Sequence, residues 1–319
     1  MGSTFKIFSI AAGLEHTDLK LSSNFDVNKP LRISRYLIRD YHPQSRALNT
    51  EEVFLKSSNK GASLIALQLG GENLKSFYQN LGLLNYSSIN IYEDKKKNSK
   101  LSSQILYGEK FSIIKKYRNW YKIKTDYDKY VGFIKSKKFK KYTYKPTHKV
   151  ASLKAKVFSK PFKNSQIKMK LSFASLLQVK GKSKNFLNFD DCWIHKSDVV
   201  PINYKEEIFK KITIFKNVKY KWGGKKFDGI DCSGLVQLFY KFNNLYCPRD
   251  SGQQFRYFKK LNSIKKDAII FWKGHVAVCL SKKKLIHAYG PKKKVVIMDV
   301  GKTINLIKKT AKLKVIGIK

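Results

Sequence analysis

Apolar positions in the first 85 residues recur at helical spacing: Phe8, Ile10, Ala11 and Leu14, then Val53, Phe54, Ala62, Ile65, Ala66 and Leu69. From about residue 87 the period shortens. Alternating runs at 89–91, 111–113, 120–123 and 131–134, separated by turn-forming clusters at 94–99 and 126–129, predict short strands. A Tyr/Lys/Pro linker over 140–147 leads to a second stretch of the same texture, with strands expected at 155–158, 176–179 and 192–195. Short strands at close spacing predict two small β-barrels, over 86–140 and 148–202. In the remaining segment, 203–319, Leu235, Val236, Phe239 and Phe242 mark one face of a helix. A strand opening at His275, a turn over 281–284 and a second strand over 285–289 predict a hairpin that returns His287 to the neighbourhood of His275. The exact register of that hairpin is not fixed by the sequence. The expected class is α+β.

Charge adds an unusual feature to this pattern. Lys and Arg number 66 against 22 Asp and Glu, a formal +44, and only seven of the cations are Arg. Readers of nucleic-acid sequence rely on the bidentate Arg fork. Here the lysines spread along the whole chain between core positions, which favours a solvated basic surface over a nucleic-acid site. The resulting field attracts anionic substrates and polymers in either case. Charges interrupt every apolar run well short of the roughly 20 residues of a membrane-spanning helix.

Cys192, Cys232, Cys247 and Cys279 form no CxxC pair and no metal-ligand spacing, so no metal or other cofactor is expected. Free thiols suit a reducing compartment, although two disulfides remain open. Met1 to Leu14 has a short apolar run and no clear cleavage site, so a cytoplasmic location is expected. A periplasmic one is the alternative if the natural start lies upstream.

The candidate chemistry lies in the last segment. Asp231-Cys232-Ser233-Gly234 precedes the predicted helix, which places Cys232 at a helix N-terminus. Unpaired backbone N–H groups there favour an anion, and such a thiol can titrate at about 3.5–7.5 rather than about 8.5. The thiolate is the nucleophile. His275 is expected as general base and then acid, with His287 orienting its ring.

Tyr220-Lys221-Trp222-Gly223-Gly224, Asp231-Cys232-Ser233-Gly234, Pro248-Arg249-Asp250-Ser251-Gly252-Gln253-Gln254 and Gly274-His275-Val276, in this order, resemble the NlpC-type family of papain-like cysteine peptidases. The resemblance covers most of 215–290. It implies a papain-like catalytic domain over 203–319 that cleaves the γ-D-glutamyl–diamino-acid bond of peptidoglycan stem peptides. The barrels resemble bacterial SH3-like domains, the first through Tyr107-Gly108-Glu109, Asn119-Trp120-Tyr121 and Tyr130-Val131-Gly132. The second matches mainly through Asp191-Cys192-Trp193-Ile194. Relatives with such domains often require a free N-terminal L-Ala. By resemblance, Tyr220, Asp231, Ser233, Asp250 and Ser251 line the substrate site, while Glu109 and Tyr130 close its end and meet the substrate ammonium. The rivals are an amidase or acyltransferase on the same fold, and a non-catalytic Lys-rich protein that binds wall or nucleic acid.

Residues 1–85 resemble a fragment of a penicillin-binding transpeptidase, through Ser3-Thr4-Phe5-Lys6 and Ser57-Ser58-Asn59. The resemblance makes Ser3 a nucleophile, Lys6 its proton acceptor, and Ser57 and Asn59 assisting groups. No Lys-Thr-Gly strand follows: Lys302-Thr303-Ile304 differs in its third residue and lies in the other domain. The expectation is an incomplete α/β fragment of poorly packed helices, without transpeptidase activity.

Overall fold

The computed structural model describes residues 2–34, 36–71, 87–136 and 145–319. The chain divides into two compact units at residues 85 and 86. The predicted linker over 140–147 falls partly outside the described residues.

In the first unit, helices Gly2–His16, Thr50–Leu55 and Asn59–Leu69 accompany two short strand pairs, Asn24–Phe25 with Leu48–Asn49 and Leu31–Ile33 with Tyr36–Ile38. Its helices start on local chemistry. Asn49 and Glu52 form a reciprocal capping box, and the Ser58 side chain accepts the Gly61 amide. Poorly packed helices were expected here. Instead Ile10, Leu19, Phe25, Val27, Leu48, Val53, Ala62 and Ile65 are buried together in one cluster.

The second unit begins with a five-stranded antiparallel sheet in the order Leu101–Leu106, Ser88–Tyr92, Val131–Lys135, Trp120–Thr125, Phe111–Lys116. Ile91, Ile105, Ile123 and Ile134 fill its interior. Leu101–Leu106, outside the strands expected from the sequence, carries Ser103 and Gln104 among its apolar residues, which blurs its alternation.

The next segment builds another five-stranded sheet, in the order Ile167–Ser172, Lys154–Phe158, Cys192–His195, Phe186–Phe189, Gly181–Ser183, and a three-stranded one around His148–Val150. They close over Val150, Val157, Leu171, Leu177, Phe189 and Ile194. Gly108 joins the two small sheet assemblies. Its φ is +77°, and a Cβ there would lie 2.2 Å from the carbonyl oxygen of Leu176. Only glycine fits that approach.

The C-terminal region is a two-faced antiparallel sheet in the order Lys294–Asp299, Lys284–Tyr289, His275–Cys279, Ile269–Trp272, Val315–Ile318. Period-two alternation assigns the faces. Ile269, Phe271, Val276, Val278, Ile286, Ala288 and Val295 pack with Leu235, Val236 and Phe239 of helix Cys232–Phe242. Ile270, Ala277, Cys279 and Leu285 cluster with Val300 and Ile307 of helix Val300–Ala311. The helix bearing Cys232 is therefore buried almost throughout, which fixes its N-terminus rigidly at the sheet. Phe173 continues this core into the preceding segment, stacking on Phe242 with centroids 4.5 Å apart. No helix among the described residues is long and apolar enough to cross a membrane.

Candidate active site

Asp231 starts helix Cys232–Phe242. Its Oδ1 accepts the Gly234 amide at 2.7 Å, which satisfies one of the unpaired N–H groups at the helix start. The next residue, Cys232, is buried with a free thiol. Burial pushes that thiol up to about 12, and the Asp231 carboxylate adds to the rise. The backbone amides of Val276 and Ser233 and the Arg249 cation pull the other way. This differs from the low value expected for a thiol at a helix N-terminus. The reason is that desolvation of the charged form outweighs the pull of the few amides. The contact with the Val276 amide puts the sulfur beside the residue that follows His275.

The strand register decides where the histidines meet. Val278 pairs with Ile286 and Cys279 with Leu285, so His275 and His287 share one face of adjacent strands. Their rings touch through His275 Nε2 and His287 Nδ1 at 2.8 Å. Burial lowers His275 to about 4. It lowers His287 to about 3, with the neighbouring His275 as a further cause. Tyr289 stacks on His287 at 4.7 Å with an interplanar angle of 12°, and the Trp272 ring lies 5.6 Å from that of His275. The resting site thus holds a neutral thiol and two neutral imidazoles. A thiol in that state acts as a nucleophile only as its proton passes to a base.

The remaining candidates divide into two groups. Tyr220 is half-buried and pushed up to about 12 by burial and by the field of Cys232, so it lies within electrostatic reach of that thiol. Asp250 precedes the short helix Ser251–Tyr257 and makes no capping hydrogen bond with its side chain. Burial and then the fields of Asp231 and Asp128 raise its carboxyl, against the pull of Arg249. Tyr130, half-buried on the first sheet assembly, lies within the fields of Asp250 and Arg249, and burial raises its hydroxyl. Ser251 is the first residue of the short helix and half-buried.

Asp231, Ser233 and Glu109 are engaged by the protein itself. Each oxygen of Asp231 accepts one backbone amide, from Gly234 or Gly223, and one nitrogen of Arg249, at 2.6–3.0 Å. Ser233 Oγ accepts from Arg249 Nη1 at 3.0 Å. Glu109 is buried against Lys241, with Lys225 3.6 Å away. Burial alone would raise its carboxyl, but the two ammoniums outweigh that and hold it below the usual range. The ammonium partners of Glu109 are therefore lysines of the catalytic domain. Asp231 and Ser233 thus spend their side-chain oxygens on the helix start and on Arg249.

Arg249, quoted in its motif but given no role from the sequence, organises this region. It is fully buried, forks onto both oxygens of Asp231, and donates from Nε to Ser103 Oγ at 3.0 Å. It thereby ties the first sheet assembly to the start of helix Cys232–Phe242. A signal was present: in a chain whose cations are nearly all Lys, a site needing a planar bidentate donor retains Arg.

Of the N-terminal candidates, Lys6 and Ser57 come together. Lys6 Nζ donates to Ser57 Oγ at 3.0 Å and to the Ser57 carbonyl at 2.5 Å. Asn59 instead donates its side-chain amide to the Arg39 carbonyl at 2.6 Å. The side chain of Ser3 lies outside the described residues.

Comparison with known proteins gives two separate likenesses. Residues 217–311 match the NlpC/P60 family, and residues 1–122 match the penicillin binding protein transpeptidase domain. The gamma-D-glutamyl-L-lysine dipeptidyl-peptidase of Bacillus subtilis is 26% identical over 234 residues, covering 64% of this chain and 77% of that one. An NlpC/P60 family protein of Bacillus cereus has a similar fold, with a TM-score of 0.62 and 18% identity over 73% of this chain and 96% of the other. The probable peptidoglycan D,D-transpeptidase FtsI of Caulobacter vibrioides is 39% identical over 93 residues. That match spans 29% of this chain and only 16% of the relative.

Proposed function

We propose, from the membership of residues 217–311 in the NlpC/P60 family, that this cysteine peptidase hydrolyses the γ-D-glutamyl–diamino-acid bond of peptidoglycan stem peptides. The observation that carries the reading is the Cys232 thiol at the start of a buried helix, against the amide of Val276 next to His275, with the His275 and His287 imidazoles 2.8 Å apart. In this reading Cys232 Sγ attacks the amide carbon and His275 takes the thiol proton. His275 then returns that proton to the departing amine. A water molecule, deprotonated by the same imidazole, hydrolyses the acyl-enzyme. The backbone N–H of Cys232 supplies part of the oxyanion site. No step draws on a metal or an organic cofactor.

The substrate class follows from the named relative, a gamma-D-glutamyl-L-lysine dipeptidyl-peptidase. A free N-terminal L-Ala on the substrate fits Asp250, whose carboxyl makes no capping hydrogen bond and whose field reaches Tyr130, better than it fits the lysine-paired Glu109. We read residues 86–140 and 148–202 as SH3-like domains that shape this end of the site. The test is mass spectrometry of L-Ala-γ-D-Glu-meso-diaminopimelate and of its L-Lys counterpart, incubated with wild type and with Cys232→Ala. Release of L-Ala-D-Glu by wild type alone supports the reading. An intact tripeptide beside cleaved whole wall removes the free-amine requirement, and no cleavage of either removes the peptidase assignment.

A further inference from the structure

His287 has a second ring contact that the reaction as described leaves unused. Its Nε2 lies 3.4 Å from Met298 Sδ, within hydrogen-bonding range of sulfur. Met298 is the diagonal neighbour of His287 on the adjacent strand, because Leu285 pairs with Met298 and His287 with Val296. His287 is fully buried, and Tyr289 stacked flat on its ring holds the plane.

From this arrangement we infer that Met298 is a positioning residue, whose thioether fixes the tautomer of His287 and thereby leaves His275 able to act as a base. The inference rests on the assignment of Cys232 and His275 as nucleophile and base. A neutral imidazole carries one N–H and one lone pair, and a thioether sulfur accepts but cannot donate. Two proton arrangements satisfy the contact between His275 Nε2 and His287 Nδ1.

In the first, His287 donates from Nδ1. The proton of His275 then sits on its own Nδ1, the nitrogen that the His287 contact leaves free to act as the base, and no lone pair is available to Cys232. The lone pair of His287 Nε2 also points at sulfur lone pairs, so one of the two contacts is lost. In the second, His287 Nε2–H donates to Met298 Sδ, and His287 Nδ1 accepts from His275 Nε2–H. Both contacts are then hydrogen bonds, and His275 Nδ1 keeps the lone pair that takes the thiol proton. After transfer, the His275 imidazolium still donates to His287 Nδ1, so the same arrangement serves both ends of the step. Burial, which holds both rings neutral at rest, removes the third alternative of a charged His287.

The deciding measurement is the tautomer itself, read from ring nitrogen shifts and long-range proton couplings in 15N-histidine-labelled protein, with His287 assigned by loss of its signals in His287→Gln. Wild type is expected to show the Nε2–H form at His287 without substrate. Met298→Leu keeps the volume and removes the acceptor. It is expected to move population to the Nδ1–H form and to lower kcat about five- to tenfold, the effect of one modest hydrogen bond, at unchanged KM. Met298→Gln, which restores an acceptor oxygen, recovers most of both. An Nδ1–H wild type overturns the inference, as does a Met298→Leu protein with the wild-type tautomer and full kcat. If Met298→Leu does not fold, the wild-type spectrum alone decides. An inactive wild type with Nε2–H at His287 sinks the peptidase reading and leaves this tautomer assignment standing.

Discussion

At the scale of single residues, the site is governed by what burial does to charge. The Asp231 carboxylate lies next to the Cys232 thiol, and Arg249 neutralises that carboxylate from 2.6–3.0 Å. Removing one partner of a buried pair leaves an uncompensated charge and costs about 3–5 kcal/mol. Arg249→Met is therefore expected to lower stability by that order. It is also expected to move the pH profile of Cys232 alkylation by iodoacetamide to higher pH, because the Asp231 field is then unopposed. Arg249→Lys keeps the cation without the fork, so the profile is expected to shift less while stability still falls. A Met variant with an unmoved alkylation profile would show that Arg249 only holds the loop.

At the scale of elements, the junction between the first sheet assembly and the catalytic domain is built from buried polar groups. Glu109 faces Lys241 and Lys225, Gln237 Nε2 donates to Asp128 at 2.8 Å, and Lys225 N donates to Gln104 Oε1 at 2.8 Å. Such a junction specifies one docking geometry, because any slip strands several buried groups at once. Glu109→Gln is expected to destabilise by about 3–5 kcal/mol in urea denaturation. The double variant Glu109→Gln with Lys241→Met is expected to recover more than half of that loss, since the stranded ammonium goes too. Equal losses in the single and double variants would argue against the ion pair as the cause. The other junction has its own buried cation. Lys149 caps the end of helix Cys232–Phe242 through the Phe242 carbonyl and reaches the Tyr204 carbonyl at 2.6 Å, and burial lowers it to about 8.

For the whole molecule, pH dependence follows from the two histidines. Folded values of about 4 for His275 and about 3 for His287 lie below the ordinary 6.5. The unfolded chain therefore binds more protons between these limits, and stability rises with pH there. The protein is expected to lose stability as pH falls from about 6.5 toward 4, by a few kcal/mol, and to change little from this source between 6.5 and 8. Thermal melting across pH 4–8 checks this. His287→Gln is expected to flatten the acid limb, and an unchanged limb in that variant would assign the acid sensitivity to other groups.

The order of motifs, the helix face behind Cys232, the hairpin linking the two histidines and most strands of the first sheet assembly are legible in the sequence, because period and turn chemistry are local properties. Leu101–Leu106 is not, since Ser103 and Gln104 interrupt its alternation to serve partners on another domain. Tertiary structure alone decides the hairpin register, the burial that raises Cys232 and lowers both histidines, and the pairing of Glu109 with two lysines. It also decides which groups answer Asp231 and His287. Arg249 and Met298 do so from 18 and 11 residues away. Local pattern records which face a residue presents. The identity of the group it meets across the core depends on packing between distant segments, and no local period encodes that.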